Sequence, residues 1–189
     1  GPYGAVLHDG SEYRGNYQVS ESELIKFHAE RIKVLESAGP DILLAETIPD
    51  LAEAQALAAA LEHATLPVWV SFTAGEGLRL WSGDLITDAV QAVLQIPNLQ
   101  VIGFNCVNPE LIEDLVRTVR SVSDIAIAVY PNKGGAWDAD TSEWSYQQGK
   151  TLVDYWPTWR NLGLEYVGGC CGLDADDIAK LNFSVASSN

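Results

Sequence analysis

Basic residues are scarce in this sequence. It contains 11 lysine and arginine residues against 26 aspartate and glutamate residues, which gives a formal net charge of −15. Proteins bind nucleic acid through clusters of lysine and arginine that neutralise phosphates. The composition therefore argues against nucleic acid as a partner, and like-charge repulsion argues against an anionic membrane surface.

Long apolar segments are also missing. No apolar stretch approaches the roughly 18 to 20 residues of a membrane span, and no basic segment followed by an apolar core opens the sequence as in a secretory signal. We therefore expect no membrane partner and a location in the reducing cytoplasm. The 189 residues, 47% of them hydrophobic, suffice for one substantial core. We expect a single domain over 1–189.

Cysteine is nearly absent, with three residues in all. Cys106 ends one apolar run, and Cys170 and Cys171 follow another. Adjacent cysteines rarely bond to each other, and an odd count completes no disulfide framework. Three sulfur ligands that leave a fourth position open are typical of catalytic zinc sites. The alternative is three ordinary buried cysteines, because free cysteine is often buried.

Short apolar runs alternate with helical segments along the chain. This alternation is typical of an α/β protein with a parallel sheet covered by helices. Helices are predicted near 20–37, 50–63, 84–95, 109–121, 148–162 and 174–181, with Ser20 and Glu23 as a capping box at the first. Strands are predicted at 41–46, 67–73, 100–106, 125–130 and 165–169, with a long loop from 131 to about 144.

The arrangement of these strands allows an open doubly wound sheet or a (β/α)8 TIM-type barrel. Polar residues and cysteines follow the carboxyl ends of several strands. A barrel brings all these strand ends around one centre, whereas an open sheet spreads them along an edge. The barrel is favoured. A complete barrel needs eight strands and about 250 residues, so we interpret the chain as a partial barrel, the C-terminal two-thirds, that lacks its first strands.

Several motifs resemble those of one enzyme family. They are GPYGAVLHDGSEYRGNY at 1–17, AETIP at 45–49, VSFT at 70–73, GFNC at 103–106, VYPNKGGAWD at 129–138 and GGCCG at 168–172. The sequence resembles the zinc-dependent homocysteine S-methyltransferases over nearly its whole length. The combination of GGCCG with the earlier Asn-Cys pair is the most specific part of the resemblance.

The resemblance implies a barrel fold and a reaction. Zinc held by Cys106, Cys170 and Cys171 would bind the thiol of homocysteine, which then takes a methyl group to give methionine. The segment at 129–138 is more similar to the branch that uses S-methylmethionine or S-adenosylmethionine than to the branch that uses betaine.

Other site residues are expected from their positions at strand ends and in loops. Glu46 is expected to bind the α-amino group of homocysteine through a charge-assisted hydrogen bond. Thr73 would orient the substrate or a metal-binding loop, and Asn105 would order the loop beside a ligand. Tyr3, in the opening loop, and Asn132, in the loop after the fourth strand, are further candidates for contact with the substrate. The histidines lack metal-ligand spacing to the cysteines, so surface or capping roles are expected for them.

The sequence departs from the family pattern at both ends. It opens on what is expected to be the loop after an absent strand, and the segment after GGCCG lacks the basic residue, threonines and proline common in relatives. A catalytically silent truncated barrel, or a zinc-binding module that needs a missing segment, is therefore the alternative to an active enzyme. Unpaired sheet edges at 41–46 and 165–169 predict self-association.

Overall fold

The fold is described from a computed structural model that covers residues 1–134, 136–138, 143–145 and 150–186. The strands in these ranges are β1 Leu43–Ile48, β2 Val68–Phe72, β3 Leu99–Asn105, β4 Ala126–Tyr130, β5 Ala136–Asp138, β6 Glu143–Ser145 and β7 Tyr166–Val167. The α-helices are α1 Glu21–Ser37, α2 Leu51–Ala60, α3 Ile86–Val93, α4 Ile112–Arg120, α5 Leu152–Asn161 and α6 Ala175–Ala186.

Five strands form one parallel sheet in the order β1-β2-β3-β4-β7. The α/β class and the five predicted strands are confirmed. The order follows the chain without a reversal among the described strands, and each helix packs against the next one along the chain. Right-handed crossovers in one direction place successive helices on the same side of a sheet. Among the elements that the structure describes, the helices therefore cover one face of the sheet and leave the other face without helices.

The helix-covered face holds the apolar core. Val70, Ile102 and Ile127 share one register across β2, β3 and β4, and all three are fully buried. They pack with apolar residues from the inner sides of the helices, such as Val90 of α3 and Leu115 of α4. Burial of side chains of this size stabilises the fold by about 1.5–3 kcal/mol each.

The opposite face carries small side chains along its middle. Ser71, Gly103 and Ala128 share one register with Tyr166 of β7. The ring of Tyr166 nevertheless contacts that of Trp69 on β2, three strands away, with centroids 4.6 Å apart. In a flat sheet these strands would stand about 14 Å apart. We attribute the contact to curvature that makes this face concave.

The helix starts follow the sequence signals. The Ser20 hydroxyl accepts from the Glu23 amide at 3.3 Å, and the Glu23 carboxylate accepts from the Ser20 amide at 2.9 Å. The predicted capping box of α1 is thus confirmed. Asp50 caps α2, because its carboxylate accepts from the amides of Ala52 and Glu53 at 2.7 and 3.3 Å.

Two expectations about secondary structure need correction. The predicted loop after β4 contains the antiparallel pair β5–β6. The closing helix, predicted to end near 181, continues to Ala186. None of the helices in the described ranges is long and apolar enough to cross a membrane.

Candidate metal centre

Three thiols meet at the carboxyl end of the sheet. Cys106 directly follows β3, and Cys170 and Cys171 lie in the loop between β7 and α6. The Sγ atom of Cys106 lies 2.7 Å from that of Cys170 and 3.9 Å from that of Cys171, and the Cys170–Cys171 separation is 4.0 Å. The three cysteines are free and form a group that could hold a metal ion.

The sulfur separations test the fit to zinc. A tetrahedral zinc site with Zn–S bonds of 2.3 Å places its sulfurs about 3.8 Å apart. The two longer separations match that value. Cys106 and Cys170 are closer than this and lie in direct contact, in which either thiol could be the donor. Exposure rises from Cys106, which is buried, to Cys171, which is exposed, so the cluster is open to solvent on the Cys171 side.

The contacts between the thiols change their acidity. The hydrogen bond from Cys106 lowers the pKa of Cys170 to about 6. The same bond, together with burial, raises the pKa of Cys106. Burial and the neighbouring Cys170 charge raise the pKa of Cys171. The cluster therefore has one thiol that readily becomes a thiolate, which is the form that binds metals.

Backbone hydrogen bonds hold the Cys170–Cys171 turn against the segment after β4. Cys170 N donates to the carbonyl of Pro131 at 2.8 Å, and Lys133 N donates to the carbonyl of Cys171 at 2.9 Å. The side chain of Asn132 accepts from Cys171 N at 3.2 Å. The described contact of the Asn132 side chain is thus with the backbone of the thiol loop.

Thr73 positions Cys106 through a hydrogen bond to the Cys106 backbone. It is fully buried, and its hydroxyl donates to the carbonyl of Cys106 at 3.3 Å while accepting from Trp81 Nε1 at 3.3 Å. Cys106 has a φ of 51°, in the left-handed region that non-glycine residues rarely adopt. The bond from Thr73 helps to fix this conformation.

Asn105 connects three strands beside the cluster. Its Oδ1 accepts from Thr47 N and from the Ser71 hydroxyl, both at 2.9 Å, and its Nδ2 donates to Thr47 Oγ1 at 2.7 Å. Thr47 also has a left-handed φ, of 64°. The buried amide therefore fixes the backbone next to Glu46.

A tyrosine from the N-terminal segment completes the surroundings of Cys106. The hydroxyl of Tyr13, in a 3-10 helix at Ser11–Tyr13, interacts with the Cys106 thiol. Burial and this contact raise the pKa of Tyr13, so the phenol keeps its proton. Sequence reasoning missed Tyr13. The spacing of GSEYRG contains no signal that would select it over Tyr3.

The remaining candidates lie in two places. Glu46, on β1, is close to the side chain of Tyr130 at the end of β4. The described contacts of Tyr3 are instead with Tyr17 and Phe27, whose ring centroids lie 5.4 and 5.1 Å away, and with the Glu53 carboxylate through its amide.

His28 is also part of the network around Glu53. It is 5% exposed, and its Nε2 lies 2.8 Å from a carboxylate oxygen of Glu53. The expectation of a surface or capping role is wrong for His28. The helical pattern of α1 did not reveal it because its partner lies on another helix.

A parallel sheet covered by helices, with three thiols that could hold a metal ion at the carboxyl ends of its strands, has the architecture of an enzyme. The chain matches the homocysteine S-methyltransferase family over residues 1–185, and it belongs to that family.

Individual relatives agree with this assignment. Homocysteine S-methyltransferase 1 of Arabidopsis thaliana is 40% identical over 178 residues, which cover 90% of this chain and 55% of the relative. Homocysteine S-methyltransferase YbgG of Bacillus subtilis is 38% identical over 186 residues, or 96% of this chain and 58% of the relative.

A solved structure is similar as well. The metallated form of the homocysteine methyltransferase MmuM from Escherichia coli superposes with a TM-score of 0.82 at 34% identity, over 97% of this chain and 58% of that one. The chain thus spans a little over half the length of the relatives it matches.

Proposed function

We propose that this chain is the greater part of a homocysteine-binding barrel domain that methylates homocysteine to methionine. The methyl donor would be a sulfonium compound, S-methylmethionine or S-adenosylmethionine. The observation that carries the proposal is the convergence of all three cysteines, with sulfur separations of 2.7–4.0 Å, in a member of this family. Because such a site needs reduced thiols, we also propose a cytoplasmic location.

The partial (β/α)8 barrel is supported by two features of the sheet. The described strands run in chain order without the reversal that marks a doubly wound sheet. The contact between Trp69 and Tyr166 across three strands is consistent with the curvature of a barrel wall.

Cys106, Cys170 and Cys171 would hold a zinc ion, which when bound supplies positive charge that keeps the thiol of homocysteine deprotonated. Three thiolate ligands offset much of that charge and leave the substrate sulfur nucleophilic. Thr73 would position Cys106 through its carbonyl, and Asn132 would position Cys171 through its amide.

The substrate sulfur attacks the methyl carbon of the donor in line. Its electron pair forms the new S–CH3 bond while the S–CH3 bond of the sulfonium breaks, and the donor leaves as a neutral thioether. The proton lost from the homocysteine thiol goes to solvent, so the methyl transfer itself needs no general acid or base.

Glu46 would hold the α-ammonium group of homocysteine. Asn105 supports this role because its hydrogen bonds fix the left-handed conformation of Thr47, the residue that follows Glu46. Tyr3 is also proposed as a substrate contact, and it lies in the same N-terminal segment as Tyr13.

The alternative is a catalytically silent truncated barrel or a zinc-binding module. It is favoured by the coverage of only 55–58% of the relatives, since substrate contacts can lie in the remainder. Metal content does not separate the two functions, because both bind zinc.

The experiment is an assay of the zinc-loaded chain with homocysteine and each sulfonium donor, in which methionine is measured by mass spectrometry. Homocysteine labelled with 13C in its carbon chain distinguishes the product from methionine released by S-methylmethionine. Labelled methionine that disappears in Cys170→Ser supports the enzyme. Zinc binding without labelled methionine for either donor supports the silent barrel.

A further inference from the structure

The hydroxyl of Tyr130 is buried and, within the described ranges, unpaired. Tyr130 ends β4 opposite Asn105 of β3, and its carbonyl accepts from Cys106 N at 3.4 Å. Its Oη atom is shielded from solvent and has no partner in hydrogen-bonding geometry among the described residues. A buried hydroxyl without a partner destabilises the folded protein. Such a group in a native protein requires an explanation.

The surroundings of this hydroxyl are those of the proposed substrate site. Tyr130 shares the concave face with Asn105, and its hydroxyl lies within electrostatic reach of Ser71, Glu46 and Cys170. The Ser71 hydroxyl does not donate to Tyr130, because it donates to Asn105 Oδ1 at 2.9 Å. Burial raises the pKa of Tyr130, so the phenol keeps its proton. The hydroxyl thus feels the charge of a carboxylate and of a member of the thiol cluster.

The chemistry of homocysteine matches these two neighbours. Its thiol would bind at the cysteines, and its ammonium group is four bonds from the sulfur. An ammonium group has three N–H donors. A single carboxylate oxygen cannot accept all three, so the ammonium needs further acceptors. A phenol can accept one N–H at its oxygen and donate its own proton to a carboxylate.

We propose that Tyr130 is a substrate-binding residue that, together with Glu46, holds the α-ammonium group of homocysteine. The Tyr130 oxygen accepts a hydrogen bond from one N–H of the ammonium and the Tyr130 O–H donates a hydrogen bond to the Glu46 carboxylate, which accepts a second N–H. The inference rests on the proposed function and deepens it, because it assigns the amino-acid end of the substrate to the space between β1 and β4.

The test uses direct binding, so it does not require turnover. The zinc-loaded chain is titrated calorimetrically with homocysteine, with 3-mercaptopropylamine, which lacks the carboxylate, and with 4-mercaptobutanoate, which lacks the ammonium. Tyr130→Phe is expected to weaken binding of the first two about tenfold, as for loss of one hydrogen bond to a charged group. Binding of 4-mercaptobutanoate is expected to stay unchanged.

The matched control is Tyr166→Phe. Tyr166 is on the same face, but its ring contacts Trp69 and it is 46% exposed, so all three affinities should stay at the wild-type value. An equal loss for 4-mercaptobutanoate would overturn the inference, since the hydroxyl would then act at another part of the ligand. Loss of zinc from Tyr130→Phe, or unchanged affinity for homocysteine, would overturn it as well.

The outcomes also separate this inference from the proposed function. If the wild-type chain binds homocysteine and Tyr130→Phe binds it equally well, only the role of Tyr130 is wrong. If the wild-type chain with one equivalent of zinc binds none of the three thiols, the proposed function fails and the assignment of Tyr130 fails with it.

Discussion

Nε2 of His28 on α1 lies 2.8 Å from the carboxylate of Glu53 on α2, and both side chains are almost completely buried. The same carboxylate accepts from the Tyr17 hydroxyl at 2.8 Å and from the amide of Tyr3. Glu53 therefore joins two helices to the N-terminal segment that carries Tyr13 to the thiol cluster.

Replacement of Glu53 by alanine should destabilise the fold strongly. It leaves three donors without a partner in the interior, and removal of one member of such a network costs about 2–4 kcal/mol. The free energy of unfolding, measured with urea, checks this. Glu62→Ala, an exposed glutamate just after α2, is the matched control and should change stability by less than about 0.5 kcal/mol. Similar losses for both variants would contradict the anchoring role.

The amide of Asn105 should be more sensitive to truncation than to a change of charge. Asn105→Ala removes two bonds to Thr47 and one from Ser71 in the interior, so we expect a loss of about 2–4 kcal/mol. Asn105→Asp keeps an acceptor for Thr47 N and Ser71, and the Thr47 hydroxyl can turn to donate to it. Its loss should be smaller. Urea unfolding of both variants checks the order, and an Asp variant as unstable as the Ala variant would contradict this account.

Much of the fold follows from sequence pattern. The five strands of the parallel sheet follow short apolar runs between helices, and parallel strands with helical crossovers have their carboxyl ends at one edge. The meeting of Cys106 with Cys170 and Cys171 was predictable for that reason. The capping box of α1 was predictable because Ser20 and Glu23 contact each other within one helical turn.

The contacts that sequence pattern missed join residues far apart in the chain. Tyr13 reaches Cys106, His28 pairs with Glu53 and Tyr130 approaches Glu46. No periodicity encodes such contacts, because they depend on how loops and helices pack. The β5–β6 pair was missed because its strands have only three residues each, too few for an alternating pattern.

Each cysteine should be required for metal binding. Purified wild-type chain is expected to contain about one equivalent of zinc, and Cys106→Ser, Cys170→Ser and Cys171→Ser should each contain almost none, because two sulfurs do not complete the site. Elemental analysis of protein purified without added metal measures this. The acidic surface could bind zinc weakly on its own, so Asp174→Asn, just beyond the cysteines, serves as control and should keep the metal. Unchanged zinc in any cysteine variant would remove that residue from the ligand set.

The two outer strands of the sheet should drive self-association. Among the described strands, β1 and β7 each have one neighbour, so each presents unpaired backbone groups at its outer edge. Leu44 on β1 adds an exposed apolar side chain, with 45% of its surface accessible. We expect species heavier than the 20.5 kDa monomer in sedimentation, and Leu44→Lys should shift the chain toward monomer because a charge on an edge strand opposes pairing.

Val34→Lys is the matched control, since Val34 is an exposed apolar residue on α1 and its replacement should leave association unchanged. A wild-type monomer that unfolds cooperatively would mean that these edges are compatible with an isolated chain.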